Sequence, residues 1–296
     1  MALENVQSCP ICGGVQFKSF LTCQDYTTTN EVFSLSTCIR CQFVFTNPRP
    51  DQNSIGNYYK SDSYVSHTGS GKGLINSIYL FVRNYTLTWK VGILQGYKQN
   101  GSLLDYGCGT GDFLNKCQDN GFEITGIEPD ADARRKAELT SGQTVGENIA
   151  AVNGKKFDLI TLWHVLEHVA DLKEKISQLK ELLNENGIIF IAVPNHESYD
   201  ATFYKEHWAA YDVPRHLWHF SKENMKSLLS EMNFSLLEIK PMKLDSFYVS
   251  LLSENYRNKE KNSISKFISG VLTGLKSNRL AKKEKNYSSL IYIARL

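Results

Sequence analysis

Short apolar runs alternate with segments of helical periodicity from residue 101 onward, and this alternation constrains the fold more than any other feature. The strand-like runs are SLLDYG, FEITGIEPD, FDLITLWHV and GIIFIAVPN, with a weaker one at QTVGEN and later ones at FSLLEIKPM and SSLIYIARL. The helical segments between them are DFLNKCQDNG, ADARRKAELTSG and KEKISQLKELLNENG. Strands that alternate with helices at this spacing form a parallel sheet covered on both faces. We therefore predict a doubly wound α/β domain over residues 101–296.

A glycine-rich loop, LLDYGCGTGDF, follows the first of these strands. Glycines at this position allow a tight turn and let a ligand approach the backbone at a helix N-terminus. The spacing is G-x-G-x-G, whereas nucleotide dehydrogenases use G-x-G-x-x-G. Asp105 precedes the first glycine by two residues and would repel a pyrophosphate, but it can accept hydrogen bonds from an ammonium group. The loop thus favours a ligand with an amino-acid end.

The ends of the next two strands supply further binding candidates. Glu128, in GIEPD, is placed where a carboxylate can accept hydrogen bonds from both hydroxyls of an adenosine ribose. Asn148 and Ile149 follow the third strand and can frame an adenine ring. Together with the loop, these residues predict a ligand that joins an amino acid to an adenosine.

These motifs resemble class I S-adenosylmethionine-dependent methyltransferases over roughly residues 100–240, in LLDYGCGTGDFL, GIEPD and FDLITLWHVLEHVAD followed by GIIFIAVPN. The resemblance implies a seven-stranded Rossmann-like sheet and S-adenosyl-L-methionine as the methyl donor. It also implies that Trp163 and His164 flank the sulfonium. The predicted donor-binding residues are Asp105, Gly107, Cys108, Gly109, Gly111, Glu128, Pro129, Asn148, Ile149, Trp163 and His164. The alternative is a doubly wound domain that has lost its cofactor.

Two C-x-x-C pairs, CPIC and CIRC, lie near the N-terminus. Each pair can place two thiolates on one metal ion, and two pairs complete a closed tetrahedral site. A redox C-x-x-C needs only one pair, at a helix start in a βαβ unit, and that context is missing from this segment. We therefore predict a zinc ribbon over residues 1–47, with a structural zinc held by Cys9, Cys12, Cys38 and Cys41. Cys23 is the spare cysteine.

The segment between ribbon and sheet, residues 48–100, begins as a connector rich in Asn, Ser, Gly and Tyr. Residues 73–98 then place apolar groups at helical spacing, which predicts one or two amphipathic helices. We expect these helices to pack on the methyltransferase-like domain.

The segment EHWAAYDVPRHLWHF, residues 206–220, holds three of the seven histidines of the chain. It follows the fifth strand of the predicted sheet, and ligands of open α/β sheets bind outside the carboxyl ends of the strands. Methyl transfer to a hydroxyl or carbon needs a base, and histidine serves near pH 7. The catalytic candidates are His207, His216 and His219, with Glu206 as an orienting carboxylate. The alternative is that Arg215 and His216, after Pro214, only lock a loop, and that Trp208, Trp218 and Phe220 fill a core.

Two resemblances bear on the acceptor. DVPRHLWHFS resembles a block of many bacterial methyltransferases, and YKEH resembles a tyrosine-x-glutamate-histidine element of zinc-bearing sugar C-methyltransferases. They imply transfer to an O or C atom of a small molecule, most plausibly a sugar or related metabolite. WHVLEHV also matches the order of an inverted zinc-peptidase motif, but that motif requires a continuous helix and this one begins at a strand end.

Charge is unevenly distributed. The chain carries a net charge of +2, whereas residues 257–285 hold nine Lys or Arg and two Glu, a net charge of +7. Residues 257–285 belong to a helical insertion that spans about 245–286. Their pattern predicts an amphipathic helix with a basic rim, which can lie on an anionic membrane or contact RNA phosphates. Such runs are also common on helices that pack on the domain with solvated lysines.

The remaining expectations concern location and partners. The N-terminal residues lack the features of a signal peptide, and no apolar run approaches the ~18 residues of a spanning helix, so we expect a cytoplasmic protein. Residues 1–47 carry Lys18 and Arg40 against Glu4, Asp25 and Glu31, which makes nucleic acid an unlikely partner. Methylation of a lipid, quinone or RNA and a non-catalytic binding module stay as alternatives.

Overall fold

The computed structural model describes residues 2–59, 74–258 and 260–296, so part of the predicted connector, residues 60–73, lies outside the described residues. The described strands are β1 (Leu3–Glu4), β2 (Phe17–Gln24), β3 (Val32–Cys38), β4 (Val44–Thr46), β5 (Arg49–Pro50), β6 (Gly101–Tyr106), β7 (Phe122–Ile127), β8 (Val145–Gly146), β9 (Phe157–Trp163), β10 (Leu183–Pro194), β11 (Trp218–His219), β12 (Ser235–Pro241) and β13 (Ser289–Arg295). The described α-helices are α1 (Leu74–Gln95), α2 (Asp112–Gln118), α3 (Ala131–Ser141), α4 (Leu172–Glu181), α5 (Tyr199–Tyr204), α6 (Lys222–Glu231), α7 (Asp245–Arg257) and α8 (Ser263–Glu284). Short 3-10 turns cover Ile55–Tyr59, Ile149–Val152, Leu166–His168, Lys205–His207 and Ala209–Tyr211.

A seven-stranded sheet has the order β12-β13-β10-β9-β6-β7-β8. Strand β6 is parallel to both of its neighbours, with Leu103 opposite Ile124 on β7 and Leu159 on β9. The strands are nearly continuous apolar runs because helices cover both faces, and Leu103 and Ile160 are fully buried. The predicted doubly wound seven-stranded fold is confirmed.

The chain divides into two compact units, each built from several segments. One unit comprises Met1–Tyr64, Leu166–Lys173 and Ala192–Tyr292. The other comprises Val65–Val165, Glu174–Ile191 and Ile293–Leu296. The sequence-based domain boundaries after residues 47 and 100 stay predictions.

One helix is shorter than its sequence pattern indicates. We predicted a helix over residues 173–187, but α4 ends at Glu181 and β10 begins at Leu183. The Leu182 N–H closes the last turn on the Leu179 carbonyl at 3.1 Å, and the Leu182 carbonyl accepts a hydrogen bond of 2.8 Å from the Phe157 N–H. The backbone after Glu181 therefore engages the start of β9 rather than continuing the helix.

A four-stranded antiparallel sheet of order β11-β4-β3-β2 forms the N-terminal ribbon. Its edge strand β11 comes from the histidine-rich segment, with Trp218 opposite Phe45 and His219 opposite Val44. Ribbon and histidine segment therefore share one sheet, which the sequence analysis did not anticipate, because a two-residue strand carries no periodicity.

Helix α8 has two unlike faces. A Cβ at Gly270 or Gly274 would lie 2.9 Å from a side-chain atom of Leu251 or Phe247 respectively, so small residues on α8 allow close packing against α7. The other face exposes large apolar side chains, with exposed fractions between 47% and 74%: Ile264, Phe267, Ile268, Leu272, Leu275 and Leu280. The predicted helical insertion is thus present as α7 and α8, with an apolar surface left open on α8.

Candidate functional site

The glycine loop turns directly after β6. Gly107, Gly109 and Gly111 have φ values of 79°, 55° and 80°, a region that side chains with a Cβ rarely adopt. A Cβ at Gly107 would lie 2.5 Å from a Val165 methyl group, and one at Gly111 would lie 2.7 Å from the Ala137 Cα. A Cβ at Gly109 would meet no heavy atom of the described residues within 4 Å. The loop is therefore closely packed on two sides and open above Gly109, where a ligand can approach the backbone.

Glu128 joins this loop to the end of β7. Its two carboxylate oxygens accept hydrogen bonds from the Gly109 N–H at 2.8 Å and the Asp130 N–H at 2.9 Å. Burial raises the pKa of Glu128. Each carboxylate oxygen can accept a second hydrogen bond, so a fixed Glu128 fits the predicted contact with ribose hydroxyls. Pro129 follows it and is exposed.

Asp105 lies below the loop at the end of β6. Its side chain is buried, at 2% exposure, and accepts a hydrogen bond of 2.6 Å from the Thr161 hydroxyl. Burial raises the pKa of Asp105 to about 6, and the positive charge of Lys90 opposes that rise. Asp105 therefore changes its charge within one unit of neutral pH.

Trp163 ends β9, and His164 follows it. The Trp163 indole N–H is buried and has no hydrogen-bond partner among the described residues, a costly state that a bound acceptor group relieves. The Lys90 ammonium lies 4.3 Å from the Trp163 ring centroid, and Phe113 packs edge-on at 5.4 Å between centroids. His164 has a φ of 57°, a strained conformation for a non-glycine residue that is frequent at functional sites.

Lys90, which the sequence analysis missed, thus contributes to the same unit as Asp105 and Trp163. It lies on α1, where the sequence shows only helical periodicity, and no motif distinguishes it from other surface lysines.

The candidates Asn148 and Ile149 begin the turn after β8. The Asn148 side-chain oxygen caps this turn by accepting the Ala150 N–H at 3.0 Å. Their contact with an adenine ring stays a prediction.

The four cysteines of the two C-x-x-C pairs converge. Their sulfur atoms all lie within 4.8 Å of one another, with 3.5 Å between Cys9 and Cys41 and between Cys12 and Cys38. A tetrahedral zinc with Zn–S bonds of about 2.3 Å separates its sulfurs by about 3.8 Å. Gly14 lies against the cluster, since a Cβ there would be 3.2 Å from the Cys38 sulfur. The convergence predicted for Cys9, Cys12, Cys38 and Cys41 is confirmed, and the donor set fits a closed structural zinc site.

Glu206 and His207 occupy one 3-10 turn. His207 Nδ1 lies 3.6 Å from a Glu206 carboxylate oxygen, and the two side chains are 29% and 47% exposed. The His207 ring stacks near Tyr26, with 6.1 Å between ring centroids. Of the candidate bases, His207 has a partly accessible ring beside a carboxylate that can orient it.

The other two candidate bases are buried. His219 Nε2 lies 3.1 Å from the Thr46 hydroxyl, and burial lowers the pKa of His219 well below its usual value. His216 Nδ1 lies 2.9 Å from the Ala210 carbonyl oxygen. The sequence named both as catalytic candidates, and their catalytic roles stay predictions.

Arg215 fixes the centre of the histidine segment. Its guanidinium is 1% exposed and contacts the carboxylates of Asp25 at 2.9 Å and Asp212 at 2.6 Å. It also donates to the Tyr58 carbonyl at 3.0 Å. The predicted loop-locking alternative therefore describes Arg215 well, although its partners are spread too far along the chain for the sequence to reveal them.

A small recess, partly open to solvent, lies beside this ion pair. It is lined by ribbon residues, the 206–215 segment and α7. Its aromatic lining includes Tyr26 and Tyr256, whose rings stack with 4.3 Å between centroids. Its polar lining includes Glu206, Asp212 and Arg215. The lining thus combines aromatic rings with a few polar and charged groups.

In the described residues, no helix combines the length and the apolar character needed to span a membrane.

Comparison with known proteins places the chain in a family. Residues 87–239 match the family model described as "Methyltransferase domain". The ubiquinone biosynthesis O-methyltransferase of Actinobacillus pleuropneumoniae is 36% identical over 107 residues, which cover 31% of this chain and 45% of that protein. The enzyme of the same name from Pelagibacter ubique is 30% identical over 165 residues, 47% of this chain and 68% of that one. The chain thus spans less than half the length of the first of these relatives.

A structural relative supports the fold. Magnesium protoporphyrin IX methyltransferase from Synechocystis PCC 6803, solved with bound SAH, matches with a TM-score of 0.54 at 15% identity, over 83% of this chain and 99% of that one. This likeness shows a shared fold. Together with the match over residues 87–239, it establishes that the chain belongs to the methyltransferase domain family, the class I S-adenosylmethionine-dependent methyltransferases predicted from its motifs.

Proposed function

We propose that the protein transfers the methyl group of S-adenosyl-L-methionine to an oxygen or carbon atom of a small molecule. The observation that carries this proposal is the glycine loop, held open above Gly109 while Glu128 is fixed beside it by the Gly109 N–H at 2.8 Å. This arrangement presents backbone and carboxylate groups to a ligand, and the family match supports the identity of that ligand.

The residues of this unit suit the parts of the donor. Glu128 has lone pairs for the ribose hydroxyls, and the buried indole N–H of Trp163 can donate to an acceptor atom. Asp105, when charged, provides a negative potential for an ammonium group under the loop. The bound donor supplies an electrophilic methyl carbon, so the protein has to align an acceptor and manage its proton.

His207 is our candidate for the base. It is partly exposed, lies 3.6 Å from the Glu206 carboxylate and belongs to the segment that also lines the recess. A carboxylate at this distance can orient the imidazole for proton uptake from a hydroxyl group or from a carbon beside a ketone. His216 and His219 are the alternative bases.

We propose a cyclic acceptor with hydroxyl groups. The stacked Tyr26 and Tyr256 provide apolar faces, while Glu206 and Asp212 provide hydrogen-bond acceptors. Both a sugar and a hydroxylated aromatic ring offer a flat apolar face and hydroxyl groups at the edge. The sequence favours the sugar through the YKEH element, whereas the names of the relatives favour a quinone precursor.

The apolar face of α8 supports contact with a membrane surface. Phe267 and Leu272 are 60% and 59% exposed, and the helix carries the basic residues Lys266, Lys276, Arg279, Lys282 and Lys283. An apolar stripe with a basic rim complements an anionic lipid surface. We propose that α8 docks there, with the protein on the cytoplasmic side, since a cytoplasmic location stays the expectation from the sequence.

Vesicle sedimentation tests the docking. We expect the protein to sediment with phosphatidylserine-containing vesicles and weakly with phosphatidylcholine alone. The variant F267S/L272S should lose this binding, whereas Leu139→Ser, which changes an 86% exposed leucine on α3, should keep it. Membrane docking is contradicted if the protein stays in the supernatant with both kinds of vesicle. It is also contradicted if the unaltered protein forms a dimer that F267S/L272S does not form.

Labelled transfer tests the enzymatic proposal. The purified protein is incubated with methyl-labelled donor and an extract of its own host, which is then separated into polar metabolites, lipids and RNA. Label in polar metabolites supports a sugar-like acceptor, and label in the lipid fraction supports a quinone precursor. Label in RNA, or failure of the protein to bind S-adenosylhomocysteine, contradicts the proposal.

A further inference from the structure

Three metal-ligating side chains outside the cysteine cluster meet in the unit that contains the ribbon. A carboxylate oxygen of Glu167 and one ring nitrogen each of His168 and His216 all lie within 4.8 Å of one another. Glu167 is 0% exposed and His216 is 9% exposed. The imidazole rings of His168 and His216 meet edge to face, with 4.5 Å between centroids.

Backbone carbonyls orient both histidines. His216 Nδ1 lies 2.9 Å from the Ala210 carbonyl oxygen, and His168 Nδ1 lies 3.1 Å from the Arg215 carbonyl oxygen. The Tyr59 hydroxyl also lies 2.9 Å from His168 Nδ1. A carbonyl oxygen can only accept, so each Nδ1 carries a proton and Nε2 is the nitrogen of each ring that can hold a metal ion. Donation of one ring nitrogen to a carbonyl is the usual outer contact of a metal-binding histidine.

The two backbone segments that carry these side chains are tied to each other. The Leu217 N–H donates to the Glu167 carbonyl at 2.8 Å, and the His216 N–H donates to the Asp212 carbonyl at 3.0 Å. The buried Arg215 between them contacts Asp25 and Asp212. The three candidate ligands therefore occupy a rigid position, as a metal site requires.

We propose that Glu167, His168 and His216 bind a divalent transition-metal cation. Two neutral imidazoles and one carboxylate form a site with open coordination positions, unlike the closed four-thiolate set of the ribbon. Asp212 extends the site toward the recess, because its carboxylate lies 3.9 Å from His216 Nε2 and also lines the recess. The cation is thus distinct from the structural zinc in both ligands and surroundings.

A role for this cation in acceptor activation rests on the proposed function. A hydroxyl group that joins an open position loses its proton more readily. Its O–H bond breaks with the proton passing to the proposed base His207, and the oxygen lone pair forms the new O–C bond while the C–S bond of the donor breaks. The products are the methyl ether and S-adenosylhomocysteine, and the cation is unchanged.

Equilibrium dialysis against Co²⁺, with the ribbon already loaded with zinc, tests the site. We expect one bound Co²⁺ per chain in addition to one zinc, with the absorption of imidazole and carboxylate ligation and without thiolate charge-transfer bands. His216→Gln and Glu167→Gln should weaken Co²⁺ binding by at least about tenfold, since even outer partners of a metal contribute about 10–100-fold. His196→Gln, which changes a half-buried histidine outside the cluster, should leave Co²⁺ binding unchanged.

The outcomes separate this inference from the proposed function. If the unaltered protein binds Co²⁺ only in exchange for zinc, the proposed site is overturned, whatever the variants do. Equal loss of Co²⁺ binding in His196→Gln and His216→Gln also overturns it. Binding of S-adenosylhomocysteine is measured on the same samples: donor binding without Co²⁺ binding rejects only the cation site, and Co²⁺ binding without donor binding rejects only the methyltransferase activity.

Discussion

The guanidinium of Arg215 and the carboxylate of Asp25 form an ion pair of 2.9 Å in which both side chains are almost fully buried. Asp25 lies in the turn after β2 of the ribbon, where it also accepts the Thr27 and Thr29 N–H groups. Burial acts to raise the pKa of Asp25, but the guanidinium of Arg215 outweighs it and the pKa is lowered. The ribbon is therefore joined to the histidine segment by buried charges as well as by the pairing of β11 with β4.

Removal of Arg215 should strongly destabilise this unit. Arg215→Ala leaves the buried carboxylate of Asp25 and the partly buried carboxylate of Asp212 without their cation. Loss of one partner of a buried ion pair costs about 3–5 kcal/mol. Chemical denaturation of the zinc-loaded protein measures the change in the free energy of unfolding. Arg135→Ala is the control, because Arg135 forms an exposed pair with Asp132, and its effect should stay below about 1 kcal/mol. Similar losses in the two variants would show that burial of the pair contributes little.

The cysteine cluster predicts which thiols determine metal content. Cys38→Ser should reduce bound zinc to near zero and lower the denaturation midpoint, because a structural zinc contributes directly to folding. Cys23→Ser should retain one zinc per chain: Cys23 is buried and lies outside the cluster, and burial raises its pKa to about 12, so it stays a neutral thiol. Metal analysis of both purified variants checks this. Zinc loss in Cys23→Ser, or full zinc in Cys38→Ser, would contradict the assignment of the four ligands.

The sequence predicted the sheet and the cysteine site well because both depend on local signals. Strand–helix alternation fixes the order of elements, and paired C-x-x-C spacing fixes four ligands. Contacts between residues that lie far apart in the sequence could not be predicted from these local signals. Arg215 and Asp25 are 190 residues apart, and the WHVLEHV motif did not show that the fold brings His216 beside Glu167 and His168. Lys90 was missed for the same reason, since an amphipathic pattern does not say which lysine reaches Asp105.

The raised pKa of Asp105 predicts how donor affinity depends on pH. Above about pH 6 the side chain is charged and attracts the ammonium group of S-adenosylhomocysteine, whereas below that pH it is neutral. Affinity should therefore fall as the pH decreases from 7 to 5, by up to about tenfold per pH unit below the pKa. Calorimetric titration at several pH values measures this. Asp105→Asn should bind more weakly at pH 7 and show a flat profile, and a parallel decline in both proteins would reject Asp105 as the source.

The same shift makes a prediction for stability. The pKa of Asp105 is about 6 in the folded protein and near 3.8 in the unfolded chain, so the folded state binds the proton more tightly. The contribution of Asp105 is therefore most favourable below pH 4, declines as the pH rises to about 6, and is constant above. Relative to the unaltered protein, Asp105→Asn should become more stable over this interval. Denaturant unfolding at pH 4.5 and 7 measures the difference, and a gap between the two proteins that does not change with pH would contradict the shift.

His207 provides the test of proton removal. If it is the base, His207→Gln should lower turnover by about 10²–10⁴-fold, the usual contribution of a positioned general base. Affinity for S-adenosylhomocysteine should not change, because none of the predicted donor-binding residues lies in the 3-10 turn that carries His207. Lys205→Gln in that turn is the control and should retain turnover.

The pH profile separates a base from a residue that only shapes the recess. Replacement of a general base changes how turnover depends on pH. The pH profile of His207→Gln should therefore differ in shape from that of the unaltered protein, while a slow residual rate persists. If His207→Gln is as active as Lys205→Gln, His207 is not the base, and His216→Gln becomes the decisive variant. A loss there that excess Co²⁺ restores would assign His216 to the cation site rather than to proton transfer, because a weakened ligand set binds the metal less tightly and a higher metal concentration compensates for it.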